Sequence, residues 1–268
     1  MTQKKLKELG IFFSILVFAI LVVSPVVMAI QPTGGTVTEE RSERAPADTA
    51  GTDNAIAGNI SEVSVVGIST TQTWQGYFGN ISGTIQLADS SDNVLYNWSL
   101  ADPRGEIYAS TNETISWTNI QCFNFTADGS YTGESGNGGT TSLYGTNLTT
   151  LEGQFSIISD GVDGVDETFT LSGAGTHNLF YTANQEFSEG ECISTRVYGD
   201  TGAGVNDEFE EVLLYEPATS SVIYTSLIES TNVLGFDTND YDFEMLVLED
   251  GHGTDTSTTT YYFFVELE

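Results

Sequence analysis

The sequence predicts an all-β protein: an antiparallel β-sandwich, built as one large or two packed smaller sandwiches, behind an N-terminal hydrophobic helix. Three observations predict it. From Ile60 onwards, apolar residues alternate with polar ones or come in short runs, the pattern of strands. Clusters of Gly, Asn, Asp, Ser and Pro punctuate those runs at close intervals. No long 3.6-residue period follows the first thirty residues.

Residues 1–29 read as a signal peptide or signal anchor. Lys4, Lys5 and Lys7 precede an apolar run from Ile11 to Val27, broken only by Ser14, Ser24 and Pro25. The run sits at the lower end of the roughly 17–25 residues that span a bilayer. Val27-Met28-Ala29 offers a cleavage point after Ala29. The preceding lysines keep the N-terminus cytoplasmic and send the remainder outside. Residues 30–58 hold Thr, Glu, Ala, Gly, Asp and Pro with few large apolar side chains, the composition of a disordered acidic tether. Residues 59–268 form the β-sandwich ectodomain, with a division near 150 if there are two units.

Within that ectodomain, Glu62–Trp74 reads as a strand. Asn80–Ala88 and Val94–Leu100 read as a hairpin around Ser90-Ser91-Asp92-Asn93. Short strands are expected at Glu106–Ser110, Thr114–Trp117, Gln154–Ile158, Glu167–Leu171, His177–Tyr181 and Cys192–Tyr198. Phe209–Tyr215, Val222–Ile228, Tyr241–Leu248 and Thr259–Leu267 predict a four-strand antiparallel meander.

Charge narrows the partners. The chain has 7 basic and 38 acidic residues, a formal net charge of −31. Beyond residue 29 the basic ones are Arg41, Arg44, Arg104 and Arg196, so every lysine lies in the leader. Such self-repulsion opposes compaction in dilute salt. In molar salt the Debye length is about 3 Å and the repulsion is screened. The composition therefore predicts a halophile's protein and excludes nucleic acid and anionic membrane surfaces as partners, since both need a basic face.

Cys122 and Cys192 are the only cysteines. In an exported chain an even pair predicts one disulfide, which would close a loop of about 70 residues and stabilise by about 2–4 kcal/mol. Six sequons, at Asn59, Asn80, Asn97, Asn112, Asn124 and Asn147, all lie in the first half of the ectodomain. That half is expected to be glycosylated and surface-facing, leaving the second half as the contact or packing face. Asp160, Asp163 and Asp166, spaced by three with glycines between, are candidate calcium ligands on a turn, because calcium takes six to eight oxygens. The spacing is not that of an EF-hand loop, and no other cofactor is expected.

Catalysis finds no support. His177 and His252 are the only histidines. No Gly-x-Ser-x-Gly, His-Glu-x-x-His, Cys-x-x-Cys or phosphate-binding Gly-Lys-Ser/Thr motif occurs. Trp74, Trp98 and Trp117 would suit a sugar-binding platform if exposed, or a core if buried. Tyr261-Tyr262-Phe263-Phe264-Val265 reads as a strand buried on both faces, or an edge open to strand exchange.

The segment Thr73-Trp74-Gln75-Gly76-Tyr77-Phe78-Gly79-Asn80-Ile81-Ser82-Gly83-Thr84-Ile85 resembles exported archaeal cell-surface glycoproteins of halophile type. Leu95-Tyr96-Asn97-Trp98-Ser99, Gly105–Ser110 and Thr260–Leu267 are similar to the same group. The resemblance implies a β-rich, glycosylated envelope protein and transfers no catalytic or binding residue. Glu8-Leu9-Gly10 also resembles an archaeal prepilin processing site, without the usual basic residue before the glycine. The expected role is therefore structural or interactive at the cell surface, membrane-tethered or secreted, with other envelope proteins or a second copy as partners. A filament subunit and a carbohydrate-binding module are the alternatives, and no enzyme is expected.

Overall fold

The computed structural model describes residues 31–123, 130–132, 142–144, 148–157, 161–229, 233–249 and 258–268. The leader, Asn124, Asn147, Asp160 and His252 lie outside these residues. Among the described residues no helix is long and apolar enough to cross a membrane. Gln31–Glu268 forms one compact unit.

The chain opens with β1 (Thr33–Gly34), β2 (Trp74–Gly79), β3 (Thr84–Ala88), β4 (Val94–Ser99) and β5 (Gly105–Ser110). Next come β6 (Gln121–Cys122), β7 (Ser130–Thr132) and β8 (Ser142–Tyr144), then short helices at Leu148–Gln154 and Val165–Thr168. They are followed by β9 (Phe180–Thr182), β10 (Gln185–Phe187), β11 (Ser194–Arg196), β12 (Glu210–Glu216) and β13 (Ser221–Leu227). The last strands are β14 (Val233–Leu234), β15 (Asp240–Tyr241), β16 (Phe243–Leu248) and β17 (Tyr262–Leu267).

One antiparallel sheet of order β1-β17-β5-β13-β12-β11, with β6 also on β12, organises the unit. Its strands are sandwiched on both faces, which explains their apolar continuity. Residue parity sorts the side chains. Ile107, Ala109, Leu213, Tyr215 and Tyr224 enter one core with Met245, Val247 and Leu248 of the β2–β16 pair and with Leu151, Val165 and Phe169 of the short helices. Tyr108, Val212, Leu214 and Ile223 enter the opposite core with Trp117, Phe180, Phe187 and Cys192. Adjacent residues thus serve opposite layers, the period-two rule applied on both sides of one sheet.

The all-β expectation holds, as does the β3–β4 hairpin. Asp89 builds its turn by accepting the backbone N–H groups of Ser91 at 2.8 Å and Asn93 at 2.9 Å. The Cys122–Cys192 disulfide is formed, bridging β6 to the loop before β11.

Several local expectations are corrected. The four-strand meander does not form: β12 and β13 pair, but β16 joins β2 in another layer and β17 pairs with β5. Alternation fixes which residues face inward, not which strand lies alongside. Glu62–Thr73 is in no strand, because β-propensity without a ladder partner does not make one. Thr114–Trp117 is not a strand: residues 114–116 are in no element and Trp117 opens a 3₁₀ turn, Trp117–Asn119. Around Gln154–Ile158 the helix ends in a turn, with Ile157 N–H donating to the Glu152 carbonyl at 2.9 Å, so Phe155 and Ile157 reach the core from a loop. Glu167–Leu171 is split between a one-turn helix and a single bridge from Leu171 to Ser194. His177 precedes β9 rather than lying in a strand.

Candidate functional site

The most unusual chemistry sits inside the sheet. Glu106, Glu152, Glu210, Glu211, Glu216, Glu244 and Glu266 are buried. Burying a carboxylate requires a partner, and the chain has almost no cations to provide one. Among the described residues the only ion pairs are those of Arg41 with Asp237 and Glu43, and no buried glutamate takes part in them. The buried glutamates are instead satisfied by main-chain N–H donors. Asn178 donates to Glu210 at 2.7 Å, Leu246 to Glu211 at 2.8 Å, Ala218 and Thr219 to Glu216 at 2.8 and 2.9 Å, and Phe236 to Glu244 at 3.0 Å. Half-buried Glu229 accepts from Phe209 at 2.6 Å. Glu210 and Glu211, adjacent on β12, reach opposite layers, so each fastens one covering layer to the sheet.

Glu106 and Glu266 form the densest group. They lie directly opposite each other across β5 and β17. The Tyr108 hydroxyl stands 3.5 Å from Glu106 Oε2, 3.4 Å from Glu266 Oε2 and 3.1 Å from Thr182 Oγ1. The β9–β10 hairpin closes over them: Tyr181 N–H donates to Glu106 at 3.4 Å and Ala183 N–H to Glu266 at 2.9 Å. Burial, then the charges of Glu266 and Glu268, push the Glu106 carboxyl up to about 9. Burial likewise raises Glu266, and raises Glu229 and Glu244 to about 7. Glu211 is raised well above the ordinary range, and its Oε1 has no hydrogen-bond partner. A protonated carboxyl beside a carboxylate is an acid–base pair in principle. Here both are under a tenth exposed, beneath the hairpin.

His177 is also structural. Its Nε2 accepts the Cys192 N–H at 3.0 Å, so the proton is on Nδ1, which donates to the Asn178 carbonyl at 2.8 Å. Both ring nitrogens are used, and burial lowers its pKa. The surrounding loop is tight. Gly190 has φ +68°, and a Cβ there would lie 1.8 Å from the Gly173 carbonyl oxygen. A cleft of about 230 Å³ between Asn112, Gln154, Ser221 and Tyr261 is lined by hydroxyls and amides, without a carboxylate, histidine or arginine in its lining.

Of the acidic turn, Asp160 lies outside the described residues, and Asp163 and Asp166 take different partners. Asp163 accepts the Thr71 hydroxyl at 2.6 Å, and its carbonyl accepts the Trp74 indole N–H at 2.7 Å. Asp166 is grouped instead with Glu167 and buried Glu152, their oxygens within 4.8 Å of one another. Three carboxylates supply three to six of the six to eight oxygens calcium takes. Glu167 is raised foremost by its hydrogen bond with Asp166. Glu152 went unnoticed in the sequence, where nothing separates it from the other acids.

Of the sequons, Asn59, Asn80 and Asn97 are exposed. Asn112 is half-buried, donating through Nδ2 to Ser221 Oγ at 3.0 Å and accepting the Thr114 N–H at 2.9 Å. Trp74 and Trp117 pack in the two cores, against Phe169 and Tyr108 respectively. Trp98 alone is exposed, with Tyr96 beside it at 4.9 Å between ring centroids. The expected division of faces is not what exposure gives. Among the described residues, eleven of the twenty exposed large apolar ones lie between Ile60 and Trp98, in the sequon-bearing half.

No protein-family model, no curated protein and no solved structure matches the chain.

Proposed function

We propose that the chain is an exported cell-surface or envelope glycoprotein with a structural or interaction role, tethered to the membrane or secreted, and not an enzyme. The observation that carries this reading is the Cys122–Cys192 disulfide, since such a bond persists in oxidising, extracytoplasmic surroundings. The leader and its lysines support export. The exposed Asn59, Asn80 and Asn97 suit glycan attachment. A lysine-free ectodomain, whose buried acids are held by main-chain N–H groups, suits molar salt. The non-enzymatic reading rests on both nitrogens of His177 and the Glu106 and Glu266 carboxyls being engaged in structural hydrogen bonds.

A filament subunit is the second reading, favoured by the exposed apolar residues between Ile60 and Trp98. The test is the intact mass of the native protein from the membrane fraction, before and after deglycosylation. The expected result is a glycan mass lost on treatment and a chain beginning at Ile30 or at Met1. A start at Ile11 puts the filament first. An unmodified chain with free thiols in the cytosol overturns the proposal.

A further inference from the structure

The β3–β4 hairpin is amphipathic yet stands uncovered. Ile85 pairs with Trp98 and Leu87 with Tyr96, placing these four on one face. Thr84, Gln86, Asn97 and Ser99 occupy the other, so a glycan on Asn97 would leave the apolar face open. Among the described residues the hairpin forms its own two-stranded sheet, with both edges unpaired, and an isolated two-stranded hairpin is marginally stable in water. All eleven of its strand residues are exposed.

A second segment has the complementary defect. Ile60, Val63, Val65, Val66 and Ile68 are 62–102% exposed and belong to no strand. Along an extended chain Val63 and Val65 would share one face and Val66 and Ile68 the other, the pattern of a strand covered on both sides. The molecule thus carries an unpaired β-forming segment and an uncovered apolar hairpin with open edges.

Charge selects the occupant. Residues 60–101 contain three acidic side chains, Glu62, Asp89 and Asp92, and no basic one, half the acid density of the whole chain. A second copy therefore meets fewer like charges at close contact here than over the rest of the chain, and carries the complementary segment itself. We infer that two copies associate here, with Ile60–Ile68 of one copy adding to the β3–β4 hairpin of the next by strand pairing. Donor and acceptor are different surfaces, so the contact is heterologous and propagates into rings or filaments. This deepens the interaction role proposed above without depending on where the leader is cleaved or whether the sequons are modified.

The test uses the full chain in molar salt with two single variants, Val65→Cys and Leu87→Cys, made with different mass labels, mixed and mildly oxidised. The expected product is the mixed covalent dimer, at least tenfold over either homodimer. Absence of cross-linking, equal yields of all three dimers, or a purely intramolecular bond in the double variant overturns the inference. The native disulfide and far-ultraviolet circular dichroism verify folding of each variant. Sedimentation of the uncross-linked protein gives an independent reading. Wild type is expected to assemble, and Trp98→Ser with Val65→Thr to be monomeric at tenfold higher concentration. A wild-type monomer at all concentrations, or one that binds lipid vesicles through Trp98 instead, likewise overturns it.

Discussion

Replacing Glu106 by glutamine should flatten the pH dependence of stability. The carboxyl is held at about 9 by burial and by Glu266 and Glu268, against about 4.3 in an unfolded chain. Between those values the folded state keeps a proton that the unfolded state releases. Stability therefore falls as pH rises through this window, by about 1.36 kcal/mol per pH unit. From pH 5 to pH 8 this single group accounts for a loss of about 4 kcal/mol. Glutamine can still accept the Tyr181 N–H and still reach Tyr108, and it never ionises. The wild type should lose about 4 kcal/mol more than Glu106→Gln over that range, or roughly 8–16 °C in Tm for a chain of this size. The assay is thermal unfolding at fixed molar salt across pH 5–9, with both proteins in parallel. Profiles of equal slope would refute the reasoning, because Glu106 would then not hold a proton in the folded state. A wild type more stable at pH 8 than at pH 5 would do so more strongly.

Three further outcomes are expected. Converting Cys122 and Cys192 together to serine should cost about 2–4 kcal/mol by releasing a loop of 70 residues, read as a lower Tm that reductant no longer affects. His177→Ala should cost about 1–3 kcal/mol, since the buried Cys192 N–H loses its acceptor, and a denaturation midpoint unchanged from wild type would contradict that bond. Glycopeptide mass spectrometry should find Asn112 the least occupied of the four described sequons, because its amide already bonds Ser221 and Thr114; full occupancy there would mean that the β13 turn opens.

The readable parts of the fold were local. The β3–β4 hairpin followed from alternation plus a Ser-Ser-Asp-Asn turn, and β12–β13 from two apolar runs separated by six residues. Pairing at long range was not readable. β17 lies against β5, more than 150 residues earlier, and β16 against β2. Nothing in a period of two names a partner that far away. The same period misled at Glu62–Thr73, where the pattern of a strand is present and the ladder is not. At Phe155 and Ile157 alternate burial comes from a turn at a helix end.

The buried acids escaped notice for a different reason: with 38 carboxylates in the chain, seven buried ones do not stand out by number. A positional signal was nonetheless there. Glu106 precedes Ile-Tyr-Ala, Glu210-Glu211 precedes Val-Leu-Leu-Tyr, Glu244 sits in Phe-Glu-Met-Leu and Glu266 in Phe-Val-Glu-Leu, each inside an apolar strand. In an ordinary protein a lysine or arginine would be sought opposite such a residue. Beyond residue 29 this chain has only four arginines, and of the residues just named only Glu210 has one opposite, Arg196 on β11, so most of the compensation must come from elsewhere, and the remaining source is the main-chain N–H. That choice has a mechanical consequence. Each glutamate reaches from a strand to the backbone of a loop or neighbouring layer, at Asn178, Tyr181, Ala183, Phe236 and Leu246. These bonds are short-range and internal, so high salt screens them far less than it screens the surface charge. In molar salt, which would quiet the exterior charge, the layers would thereby stay fastened by contacts the same salt leaves intact.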